Sequence, residues 1–155
     1  MGRRTLLISL ITAAALLTAC APAPPPVAQV KKDPVEEAWY PQTVEQLTAL
    51  DRKAEAAFKA GDQDKAAALI EEAKPMQARL LEARQPTLPA MEAVADLDQL
   101  YGNMLLTNRN YGWARMFFQK NLARWKHFPE QTPETAQRVK QAQDAIAACD
   151  RKITE

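Results

Sequence analysis

The chain has 155 residues, with 20 Lys and Arg against 19 Asp and Glu, and this near-neutral balance offers nucleic acid no electrostatic foothold. Two cysteines, Cys20 and Cys149, and one histidine, His127, are too few for a zinc or haem attachment pattern, and no glycine-rich phosphate loop or serine nucleophile elbow occurs. No enzymatic activity, metal or other cofactor is therefore expected, and rare glycine with plentiful alanine points to an all-α domain.

At the N-terminus, Arg3 and Arg4 precede an apolar run from Leu6 to Leu17, broken only by Ser9 and Thr12 and shorter than the ~20 residues that span a bilayer. Residues 1–19 are thus expected to be a cleaved targeting signal. The stretch Leu17-Thr18-Ala19-Cys20 resembles the lipobox of bacterial lipoproteins. The resemblance implies signal-peptidase cleavage between Ala19 and Cys20 and palmitate-type acylation of Cys20. It also implies a place in the cell envelope, on the periplasmic side of the outer membrane, because Ala21 rather than aspartate follows the cysteine. An ordinary secretory signal or an uncleaved anchor helix, with Cys20 incidental, is the competing reading. Each buried methylene contributes about 0.8 kcal/mol, so two or three acyl chains hold a soluble domain far more firmly than one.

Residues 20–42 carry six prolines, from Pro22 to Pro41, with almost no aliphatic residues to bury. Proline fixes its own φ and pushes its predecessor toward extended backbone, which predicts a semi-rigid tether. The remaining residues, 43–155, are expected to form one domain of about five antiparallel helices. Thr43 and Gln46 predict a capping box for a first helix burying Val44, Leu47, Leu50, Ala54 and Ala57 or Phe58. Gly61 breaks it, and Asp62 caps a second helix with Ala66, Leu69, Ile70, Ala73, Leu80 and Leu81 inside and a kink at Pro75. The third carries Met91, Val94, Leu97, Tyr101 and Leu105; the fourth runs from about Tyr111 to His127. Thr132 and Pro133 open a fifth, with Ala136, Val139, Ala142, Ile146, Cys149 and Ile153 on its stripe.

Two hairpins look alike. In the first, Ala54, the turn Gly61-Asp62, Ala66, Ile70 and Ala73 follow in order; in the second, Gly102, Tyr111, Ala114 and Phe118. Small residues where two helices cross, a Gly-Asp turn and large residues beside them resemble the tetratricopeptide repeat. Ala66 and Ala114 lie 48 positions apart (66 to 114) rather than the family's ~34, a difference that an extended second helix would absorb, and Asn121 stands where a small apolar residue is usual. An unrelated helical bundle whose alanines merely allow close packing is the alternative. The family binds extended peptides or helices along the inner surface made by the first helix of each hairpin. Position by position, the resemblance places Asp51, Glu55, Lys59, Gln99, Asn103 and Thr107 on that surface.

The aromatic fourth helix offers a second candidate surface. Tyr111, Trp113, Met116, Phe117, Phe118, Leu122 and Trp125 wrap most of it, so it is either a central core helix or a helix that leaves Trp113 and Phe117 to a partner. His127 suits the negative end of the helix dipole, Cys149 reads as a small core hydrophobe, and the pairs Glu36-Glu37, Glu71-Glu72 and Asp96/Asp98 read as solvated faces. The expected function is a membrane-anchored periplasmic adaptor that binds another envelope protein. The alternatives are an accessory ligand-handling lipoprotein of a solute transporter, marked by a deep apolar pocket between the third, fourth and fifth helices, or a flat structural spacer.

Overall fold

The computed structural model describes residues 32–155; the expected targeting signal, the expected Ala19-Cys20 cleavage point and most of the expected tether lie outside them. A short 3-10 turn, Pro34–Glu36, precedes five helices: α1 (Trp39–Lys59), α2 (Gln63–Leu80), α3 (Leu88–Thr107), α4 (Tyr111–His127) and α5 (Pro133–Thr154). The fold is an all-α bundle, with no strand among the described residues. None of these helices is long and apolar enough to cross a membrane.

The helix ends follow local chemistry. Asp62 accepts a hydrogen bond from the Lys65 amide at 3.1 Å, after Gly61 has turned the chain at φ +82°, a left-handed angle that glycine adopts without steric cost. Thr132 caps α5 reciprocally with Thr135, at 3.3 and 2.8 Å, ahead of Pro133 in the first turn.

Two expectations about the ends are corrected. Helix α1 begins at Trp39, so Thr43 is no cap: its hydroxyl donates back to the Trp39 carbonyl at 2.9 Å. Pro41 is tolerated because it falls in the first turn, where its missing N–H would have had no acceptor in the helix. Residues 33–42, assigned to the tether from their prolines, are instead tied to the domain. The Arg79 guanidinium lies 3.7 Å from the Trp39 ring centre, and the Tyr40 hydroxyl accepts from the Thr87 amide at 3.3 Å. Pro75 does not split α2; both the proline and Glu71, whose carbonyl loses its helical donor, are exposed residues.

Of the two readings open for the fourth helix, the central core helix does not hold: burial is greatest on α3. Half of the 20 residues of α3 are buried, whereas α4 buries Ala114, Phe118, Asn121 and Trp125 and leaves Trp113 63% exposed. The largest apolar cluster joins α1, α2 and α3 through Leu47, Ala54, Ala66, Ile70, Val94 and Leu97. A second joins Met91 and Ala95 to Trp125 and Phe128, and a third joins Ala114 and Phe118 to Cys149. Burial raises the Cys149 thiol pKa, which suits a core position rather than a nucleophile. The α5 stripe is shorter than expected, for Ala136 and Ile153 are exposed; so is Leu81, just past α2.

A polar centre lies within this packing. Asp98, only 3% exposed, pairs with Arg124 of α4 and accepts from the Gln77 amide of α2 at 3.0 Å, with Lys120 Nζ 3.6 Å away. The expectation of solvated faces thus fails at Asp98. At Asp96 it fails in part, since this half-exposed carboxylate bridges to Arg138 of α5.

Close approaches at small residues set the spacing of the helices. Ala66 and Ala114 are fully buried, and a Cβ added at Gly102 would stand 2.5 Å from Cε1 of the fully buried Phe118 ring. Ala66→Leu, Ala114→Leu and Gly102→Ala are each expected to destabilise by about 1–3 kcal/mol, the cost of overpacking a filled core. Ala67→Leu, at a half-buried position, should cost clearly less. Urea denaturation that ranks the four variants equally would contradict this account.

Candidate functional site: a polar groove across three helices

Three helices that are not neighbours in sequence build one groove. Asp51 and Glu55 come from α1, Asp96, Gln99, Leu100 and Asn103 from α3, and Arg138 from α5, around a cavity of about 280 Å³. The 3- and 4-residue steps from Asp96 to Gln99 and Asn103 keep these side chains on one face of α3. Four of the residues expected on a binding surface, Asp51, Glu55, Gln99 and Asn103, therefore meet. Lys59 does not line the cavity but pairs with Glu55 at 2.8 Å on the exposed side. Thr107 lies a turn beyond Asn103 and donates to its carbonyl at 3.0 Å.

Most polar groups in the groove already have partners. Asp96 is bridged by Arg138, Glu55 by Lys59, and the Gln99 amide donates to Asn103 Oδ1 at 3.3 Å. Asp51 is the exception: its Oδ1 is buried and has no hydrogen-bond partner among the described residues. Burial, and then the negative charges of Asp96 and Glu55, push the Asp51 carboxyl up to about 6, with Arg52 opposing.

Sequence reasoning missed Asp96, Leu100 and Arg138. Asp96 had a signal in its spacing from Gln99 and Asn103; Arg138 had none, since only the tertiary fold brings α5 beside α3. The other candidates, Trp113 and Phe117, lie outside this groove. Phe117 packs edge-on against Tyr101 of α3, ring centres 4.8 Å apart, while Trp113 stands out toward solvent.

Between α3, α4 and α5 the space is nearly closed. A void of about 10 Å³, bordered by Asn121, Trp125 and Ala142, has room for at most a single water. The buried Asn121 amide donates to the Ala95 carbonyl at 2.8 Å and fixes α4 to α3. Among the described residues no group of three or more His, Cys, Asp or Glu is placed to hold a metal ion, the groove carboxylates included.

The pH dependence of stability tests the state of Asp51. The folded chain keeps this proton up to about pH 6, whereas the unfolded chain releases it near 3.8, so stability falls as pH rises through that window and the penalty is complete above it. Asp51→Asn is expected to raise stability at neutral pH by about 1–2 kcal/mol, allowing for solvent at the groove mouth, and to flatten the fall between about pH 4 and 6. An unchanged slope would show that Asp51 ionises normally.

No protein-family model matches the chain, and neither a curated protein nor a solved structure is significantly similar to it.

Proposed function

We propose that the protein is an envelope adaptor, anchored through acylated Cys20, that binds a segment of another envelope protein in the groove of α1, α3 and α5. The observation that carries this reading is Asp51. A buried carboxylate oxygen without a donor is costly to keep, and because Asp51 lines an open polar groove, a rotation of its side chain toward that groove would let a partner's donor satisfy it. Gln99 and Asn103 stand beside it, and side-chain amides suit the backbone N–H and C=O groups of an extended segment. The tetratricopeptide-like order of small residues supports the same surface.

A flat spacer would gain nothing from an unsatisfied Asp51. The ligand-handling alternative looked for a deep apolar pocket between α3, α4 and α5, where the void holds about 10 Å³.

Photocrosslinking in intact cells tests the reading. A photoreactive residue at Gln99 is expected to capture one main envelope partner, and Asp51→Ala with Asn103→Ala is expected to abolish a crosslink placed at Glu55. Asn103→Ala alone should change stability by less than about 0.5 kcal/mol, as substitutions away from a packed core usually do. Leu97→Ala, at a fully packed position, is the folding control and should cost about 2–5 kcal/mol. Crosslinks unchanged in the folded double variant would remove the groove from the account. Mass spectrometry of the mature N-terminus should find lipid on Cys20 and none after Cys20→Ser; its absence from the wild type would remove the anchor.

A further inference from the structure

Helices α2 and α4 both pack on α3 but scarcely touch one another, and a second cleft of about 220 Å³ opens between them. Its lining is of a different kind from that of the polar groove. Ile70 and Leu97 are apolar and almost fully buried, and the edge-to-face pair Tyr101 and Phe117 adds aromatic surface left half-exposed.

Two ammonium groups sit over these rings. Lys74 Nζ lies 5.2 Å from the centre of Tyr101 and Lys120 Nζ 4.8 Å from the centre of Phe117, so attraction to the ring faces holds both charges at the cleft. Both side chains remain open to solvent, at 42% and 44% exposure. Asp98 contributes the one carboxylate to the lining, but it is buried and already bound by Arg124 and Gln77, with Lys120 outside direct hydrogen-bond reach at 3.6 Å. Lys74 also pairs with Glu71, an exposed residue that does not line the cleft. Three cations, Lys74, Lys120 and Arg124, against two carboxylates, Glu71 and Asp98, leave one positive charge in excess at the opening, beside the apolar surface of Ile70 and Leu97.

We propose that this cleft binds a small amphipathic anion: one carboxylate, sulfonate or phosphate group on an aromatic or branched aliphatic body. The body would replace water on Leu97, Ile70 and the two rings, and the anionic group would stand between the two ammoniums. Gln77 also lines the cleft, its amide donating to the Val94 carbonyl at 3.1 Å and to Asp98 at 3.0 Å. The site is separate from the groove of α1, α3 and α5 and shares no lining residue with it.

A pair of fluorescent probes that differ in one charge tests this on the full chain. Anilinonaphthalene sulfonate is expected to bind saturably at one site, and neutral N-phenylnaphthylamine, the same body without the sulfonate, to bind more weakly. Lys74→Gln with Lys120→Gln should weaken the sulfonate about tenfold or more, as loss of two charge contacts at a partly screened site would, and leave the neutral probe unchanged. Sulfonate binding that does not saturate, that is matched by the neutral probe, or that keeps its affinity in the folded double variant overturns the proposal. Should the double variant fail to fold, Lys74→Gln alone decides. It leaves the Asp98 contacts intact, and a weakening of about threefold supports the site while unchanged affinity overturns it.

Discussion

The position of three helices rests on the charge of Asp98. A carboxylate this deeply buried is tolerable only with donors in place, and they come from two sides: Gln77 on α2, Arg124 on α4. Removing one partner of such a pair typically costs about 3–5 kcal/mol, because the other charge stays buried and unmatched. The apolar clusters supply the bulk of the driving force but little direction, since Leu and Ala side chains tolerate small rotations. An ion pair with two fixed hydrogen-bond geometries does not, and it sets the rotation of α3 about its own axis.

That rotation decides what the rest of α3 can present. With Asp98 turned toward α2 and α4, Asp96, Gln99 and Asn103 must face α1 and α5, and Tyr101 must face the cleft beside Phe117. One helix thus shapes two recesses of unlike chemistry, a polar groove and a cationic, aromatic cleft. It can do so because its remaining buried positions are small or apolar: Ala90, Ala93, Ala95 and Gly102 let the neighbouring helices come close.

Much of this was legible in the sequence, and the misses have physical reasons. Helix number and the caps at Asp62 and Thr132 follow from spacing and local hydrogen-bonding chemistry, which act within a turn or two, whereas Asp51, Glu55, Gln99 and Asn103 come from the resemblance to the tetratricopeptide repeat. The start of α1 was misplaced because Pro41 reads as a breaker unless it is known to lie in a first turn. Aromatic content alone leaves α4 open between a core helix and a half-exposed one, whereas burial in α3 is achieved by alanine, glycine and aliphatic residues that no single composition signal marks out. Asp98 reads as a surface charge in the sequence because its partners lie 21 and 26 residues away, and Arg138 carries no signal because it meets the groove only through the tertiary fold. The assignments at Ala19 and Cys20 lie outside the described residues.

The clasp between the start of the domain and the α2–α3 connection has a mechanical consequence. The Asp33 carboxylate accepts from the Arg84 amide at 3.4 Å, Tyr40 from Thr87, and Trp39 lies under Arg79. Tension arriving from the N-terminal side is therefore passed first to this connection and shared by several contacts at once, instead of peeling α1 from the bundle one turn at a time. A domain held in this way keeps α1, and with it one wall of the groove, in register while it is pulled.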